Sequence, residues 1–139
     1  VSPIDGRYFA QVQELRNIFS EYGLIKYRVF VEICWLEHLA EDSGIEELPK
    51  FSHTALESIR SIREDFCLQD AERVKQIEAS TNHDVKAVEY FIKEKFDTLD
   101  ELKNCSHFIH FACTSEDINN LAHGLMLKEA RDEVIIPIL

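Results

Sequence analysis

The segment from Ser20 to Ala40, SEYGLIKYRVFVEICWLEHLA, constrains the fold more than any other. Leu24, Tyr27, Val31, Trp35 and Leu39 recur three and four residues apart, and Ile25, Phe30, Ile33 and Leu36 widen the stripe until the helix is apolar on most sides. A helix of that kind must be buried by other elements. No stretch alternates apolar and polar residues with the period of two that a strand needs, and the 139 residues contain only four Gly and three Pro. The chain therefore reads as all-α.

Further helices follow from the same periodicity. A turn is expected at Asp42-Ser43-Gly44, with Pro49 closing the connection. Thr54-x-x-Glu57 has the capping-box pattern and is expected to open a helix bearing Leu56, Ile59, Ile62 and Phe66. Ala71, Val74 and Ile77 mark a helix over Asp70–Ala79. The next carries Val85, Val88, Ile92 and Phe96 on one stripe, with Lys86, Glu89, Lys93 and Glu94 expected toward solvent. Residues 97–104, DTLDELKN, read as a short polar connection, and a last helix runs from about Ser115 to the end. Its apolar residues, Ile118, Leu121, Ala122, Leu125 and residues 134–138, are expected to self-associate or fray without further helices to pack on.

A net charge of −11 argues against a nucleic-acid partner, since phosphate contacts need clustered Lys and Arg. No apolar run reaches the 18 or so residues of a membrane span, and no leader pattern opens the chain, so a cytoplasmic protein is expected. Cys34, Cys67, Cys105 and Cys113 form no CxxC pair and are expected to be buried free thiols rather than metal ligands or disulfides. A start at Val1 and an end at Leu139, with no stop signal beyond Pro137, lead to the expectation that the chain is a piece of a longer protein.

Two helix starts carry the chemistry-bearing residues. Thr81-Asn82-His83-Asp84 and, 33 residues later, Thr114-Ser115-Glu116-Asp117 both fit the capping pattern, with Thr81 and Asp84 in one and Thr114 and Asp117 in the other. Capping alone accounts for those four residues. It leaves Asn82 and His83 unexplained. A helix start also offers unpaired N–H groups and a partial positive charge to a carboxylate or phosphate, and a histidine there can donate to an anion or move a proton. Both readings stand on the residues alone, and His83 is singled out over His107, His110 and His123. A third stretch, SPIDGRY, uses Pro3 and Gly6 to make a turn that Asp5 can stabilise, presenting Arg7 and Tyr8. Arginine offers a bidentate fork for phosphate or carboxylate, although an ordinary surface Arg beside a packed Tyr fits equally well.

Taken together, SPIDGRY, IFSEYGLIKYRV, TNHDVKAVEYF and HFACTSEDINNLAHGLMLKEARDEVI resemble, in order and over nearly the whole chain, the N-terminal part of the bacterial adenylosuccinate lyase family, within the fumarase/aspartase superfamily. The resemblance implies a carbon–nitrogen lyase of purine biosynthesis that eliminates fumarate from a purine nucleotide bearing a succinyl group, with no metal or organic cofactor. Arg7 and Tyr8 would hold the nucleotide near its phosphate. Asn82, His83 and Asp84 would line the site, His83 assisting the proton-donor side, and Thr114 and Ser115 would bind a succinyl carboxylate. The serine-rich loop that supplies the base, and the main acid, would lie beyond Leu139. Residues 1–112 would be the N-terminal domain and 113–139 the first part of a long helix in the central bundle of a homotetramer. Such a piece would be inactive alone. Argininosuccinate lyase or aspartase within the superfamily, and a helical interaction module outside it, are the alternatives.

Overall fold

A computed structural model describes residues 2–4, 6–41 and 44–139. Asp5 of the N-terminal turn and Asp42-Ser43 of the first interhelical turn lie outside the described residues. A 3-10 stretch at Phe9–Leu15 leads into α1 (Arg16–Phe19), followed by α2 (Glu21–Glu41), α3 (His53–Glu64), α4 (Leu68–Thr81), α5 (Asp84–Phe96), α6 (Asp100–Cys105) and α7 (Ser115–Glu129). A π-helical segment at Ala130–Ile135 precedes the short α8 (Ile136–Ile138). The described residues contain no strand, so the all-α expectation holds.

α2 is the spine of the molecule, as its all-round apolar pattern requires. It packs against α1, α3, α4, α5 and α7. The main core joins Val29, Ile33 and Leu36 of α2 to Ile59, Val74, Phe91, Ile92, Phe96 and Leu102. Phe66 stacks edge-on against Phe91 at 5.9 Å, just past the end of α3. α2 and the N-terminal segment meet so closely that a Cβ on Gly23 would collide with the Ile18 carbonyl. Two smaller clusters lie on the α7 side of α2. One joins Ile18 to Met126 and Ala130; the other joins Val31, Val85 and Ile118, one residue from each of α2, α5 and α7.

Four expectations are corrected. The cap of α3 is Ser52, not Thr54, because Glu101 of α6 accepts from both the Ser52 N–H (2.8 Å) and its hydroxyl (2.6 Å) while Ser52 Oγ takes the Ala55 N–H. The polar run at 97–104 hides α6, whose Leu102 is fully buried. Glu89 is buried beneath Lys86 rather than facing solvent. Of the four free cysteines only Cys105 is buried; Cys34 and Cys113 are half-buried, and Cys67 is exposed at the start of α4. Ile118 and Ala122 of the last helix are buried against the rest of the fold, whereas Leu121, Ile135, Ile136 and Ile138 are exposed. Among the described residues no helix is long and apolar enough to cross a membrane.

Candidate functional site

The break between α4 and α5 reverses the expected division of labour. Thr81 is the last residue of α4, and its hydroxyl donates to the His83 carbonyl at 3.3 Å. Asn82 closes α4 in the left-handed region, φ 53° and ψ 33°, which Asn tolerates better than most side chains. His83 is extended and is itself the cap of α5, its Nδ1 accepting the Lys86 N–H at 3.2 Å. The capping pair is not Thr81 and Asp84; Asn82 and His83 are the caps. The physical reason is that α4 runs on through Thr81, so Thr81 cannot take the extended conformation of an N-cap. One chemical consequence follows: with Nδ1 used as an acceptor, the neutral ring carries its proton on Nε2. The side chain is half-exposed, so that N–H is available to a ligand.

Asp84, the first residue of α5, is tied inward. Its Oδ2 accepts from the Arg28 guanidinium at 2.6 Å. Partial burial opposes its charge, but the Val85 N–H and Arg28 outweigh burial and hold the carboxyl below its ordinary value. Arg28 is buried on α2 and its Nε donates to Asn119 Oδ1 of α7 at 2.9 Å.

The second start is built as expected. Thr114 is extended, and Asp117 Oδ2 accepts both its N–H (2.7 Å) and its hydroxyl (3.0 Å). Those two bonds, the backbone one first, hold the Asp117 carboxyl below its ordinary value. The Thr114 hydroxyl proton is thus occupied. The Ser115 hydroxyl has no partner among the described residues, and as first-turn residues Ser115 and Glu116 have no intrahelical acceptor for their N–H groups. The loop that delivers this start turns twice through the left-handed region, at His110 (φ 65°) and Ala112 (φ 59°). α2 pins it twice: Glu32 Oε1 meets His110 Nδ1 at 2.6 Å, and Trp35 Nε1 donates to the Phe111 carbonyl at 2.8 Å. Burial pushes the Glu32 carboxyl up despite His110, and its Oε2 has no hydrogen-bond partner among the described residues.

Val85 and Ile118 in one apolar cluster, with Arg28 bridging Asp84 and Asn119, bring the two helix starts together across one face of α2. Arg7 and Tyr8 are not joined to them by any described contact. The predicted turn does form there, with the Tyr8 N–H on the Pro3 carbonyl at 2.9 Å, and Arg7 lies over the Tyr8 ring. The 3-10 stretch that follows packs on the π-helical segment beyond α7. Sequence reasoning missed Arg28, Glu32, His110 and Asn119 as site-building residues. A signal was available: Arg28 and Glu32 sit four apart inside a helix apolar on most sides, and charges so placed require buried partners.

A family model described as lyase matches residues 6–139. Among relatives, the adenylosuccinate lyase of Escherichia coli (strain K12) is 60% identical over 99% of this chain and 30% of that protein. The adenylosuccinate lyases of Vibrio cholerae (strain O395) and of Legionella pneumophila (strain Philadelphia 1) are 58% and 49% identical over the same shares. The chain spans about a third of the length of the curated relatives it matches.

Proposed function

The chain belongs to the lyase family matched over residues 6–139, and from that premise we propose that the full-length protein eliminates fumarate from succinylated purine nucleotides, this chain supplying one wall of the site. The substrates are adenylosuccinate, giving AMP, and the succinyl-carboxamide ribotide of purine synthesis. In the reaction a base takes a proton from the succinyl carbon, the carbon–nitrogen bond breaks, and the departing nitrogen is protonated. The observation that carries this reading is the pair of helix starts held side by side, one offering the His83 Nε2–H and the other the Ser115 hydroxyl and first-turn amides.

In this scheme Ser115 and the α7 start take a succinyl carboxylate, joined by the Thr114 hydroxyl when it leaves Asp117. His83 donates toward the substrate on the side where the nitrogen leaves. Asn82 and Asp84 frame that histidine, and Arg7 and Tyr8 serve the nucleotide's phosphate from the N-terminal turn. The principal base and acid come from outside these 139 residues, so the chain alone is inactive. Residues 1–112 form the N-terminal domain and 113–139 lead into the central bundle of a cytoplasmic homotetramer. That assembly supplies the helices that cover the exposed Leu121, Ile135, Ile136 and Ile138.

The test is fumarate release from adenylosuccinate by the full-length protein, with argininosuccinate and aspartate as controls. Turnover of adenylosuccinate alone is expected. Turnover of either control in its place, or of none of the three, contradicts the assignment.

A further inference from the structure

Arg28 lies in the stretch IKYRV and has no role in the scheme above. We propose that it is a positioning residue for the elimination: its guanidinium holds the first residue of α5 and the second turn of α7 at once, and so sets the spacing of the two helix starts. The inference rests on the elimination reading.

The geometry carries it. Arg28 Nε donates to Asn119 at 2.9 Å, and a terminal nitrogen of the same group donates to Asp84 at 2.6 Å. A guanidinium is planar with divergent donors, so the two acceptors are held at a width set by the group itself. The arginine side chain itself is buried, which limits the freedom of the guanidinium to swing away from either acceptor. It is anchored on α2, the element against which both α5 and α7 pack. A lysine could meet Asp84 with its charge, but an ammonium on a flexible stem fixes no plane.

Charge adds a second role. Asp84 is half-exposed beside His83, where a succinyl group with two carboxylates has to approach. Among the described residues Arg28 is the one Arg or Lys paired with Asp84. Without it, a bare carboxylate would repel the substrate in a chain already carrying −11.

The experiment uses the full-length protein with Arg28→Met and Arg28→Lys, following fumarate release from adenylosuccinate and, separately, equilibrium binding of AMP. Arg28→Met is expected to lower kcat and raise KM, each by about tenfold or more, because both spacing and charge balance are lost. AMP has no succinyl carboxylates, and its Kd is expected to move by less than about twofold. Arg28→Lys keeps the charge and loses the fork, so KM returns most of the way while kcat stays low. Wild-type kcat and KM in Arg28→Met overturn the inference. An equal loss of AMP and adenylosuccinate binding overturns it too, since that marks general disruption. Should Arg28→Met fail to assemble, Arg28→Lys decides: low kcat with near-normal KM supports the inference and unchanged kinetics refute it. Failure of the unsubstituted protein to release fumarate from any succinylated purine nucleotide removes the elimination reading itself, a result separable from all of these.

Discussion

Before Thr81 the chain is already helical, whereas before Thr114 it turns twice through the left-handed region. The two stretches share the pattern of a threonine three residues ahead of an aspartate, yet the pattern works as a cap only in the second. At the first, α4 uses Thr81 as its last residue, Asn82 makes the break and His83 becomes the cap. At the second, the loop pinned by Glu32 and Trp35 leaves Thr114 extended and free to pair with Asp117. A local capping motif is therefore conditional on how the chain arrives. The difference also divides the chemistry: one start presents a ring N–H, the other a hydroxyl and amides.

The largest effect that would sharpen this contrast comes from Glu32→Ala in the full-length protein. It leaves the half-buried His110 Nδ1 without its partner, and a polar group left unpaired in this way costs about 1–3 kcal/mol. Hydrogen exchange should show faster opening over residues 109–117 with residues 82–87 nearly unchanged. Equal loosening at both starts would break the idea that each is delivered separately.

A smaller effect distinguishes the two threonines. Thr114→Ala removes a true cap residue and should cost about 1 kcal/mol of local stability at the α7 start, whereas Thr81→Ala, in a last helical turn, should cost no more than a few tenths. Exchange rates of the first-turn amides of α5 and α7 measure both. Comparable costs at the two positions would show that the motif caps α5 after all.

Acid should produce the smallest effect. Asp84 and Asp117 both have their carboxyls held below an ordinary value of 3.8, so their contributions are fully present above that pH and are lost as pH falls through the lowered values. Both carboxylates face solvent in part, which screens the loss. The α7 start, where Asp117 accepts both Thr114 bonds, should loosen below about pH 4, followed by amide exchange at residues 115–118. The Asp117→Asn variant should lose that pH dependence.

What the sequence made legible was periodic. The stripe Val85, Val88, Ile92 and Phe96 is buried throughout, and α2 is buried on most sides as its composition requires. What it concealed depends on partners distant in the chain. Ser52 outranks Thr54 as a cap because Glu101, 49 residues on, reaches it, and no local pattern contains that residue. α6 is too short for periodicity to register, and only its buried Leu102 and Cys105 betray it. Within the candidate site, the residue types at 82–84 and 114–115 were visible, but their division into caps and donors was not. Asn82 and His83 are superfluous to capping only if α4 stops at Ala79; because it runs on to Thr81, they become the caps. Arg28 and Glu32 were visible as charges in an apolar run, and their partners lie 56 and 78 residues away.

The central claim is that His83 is at once the cap of α5 and a participant in the elimination, and one substitution separates the two roles. Asparagine is among the best N-cap residues, so His83→Asn keeps an acceptor for the Lys86 N–H while removing the imidazole and its Nε2–H. The direct measurement is kcat for fumarate release from adenylosuccinate by full-length His83→Asn, with protection of the α5 first turn recorded on the same preparation. The account predicts unchanged protection and a kcat lower by about a hundredfold or more, the range typical of a lost proton-transfer or orienting group. Near-normal kcat in a protein whose α5 start is equally protected would mean that His83 only caps a helix, and would contradict the claim.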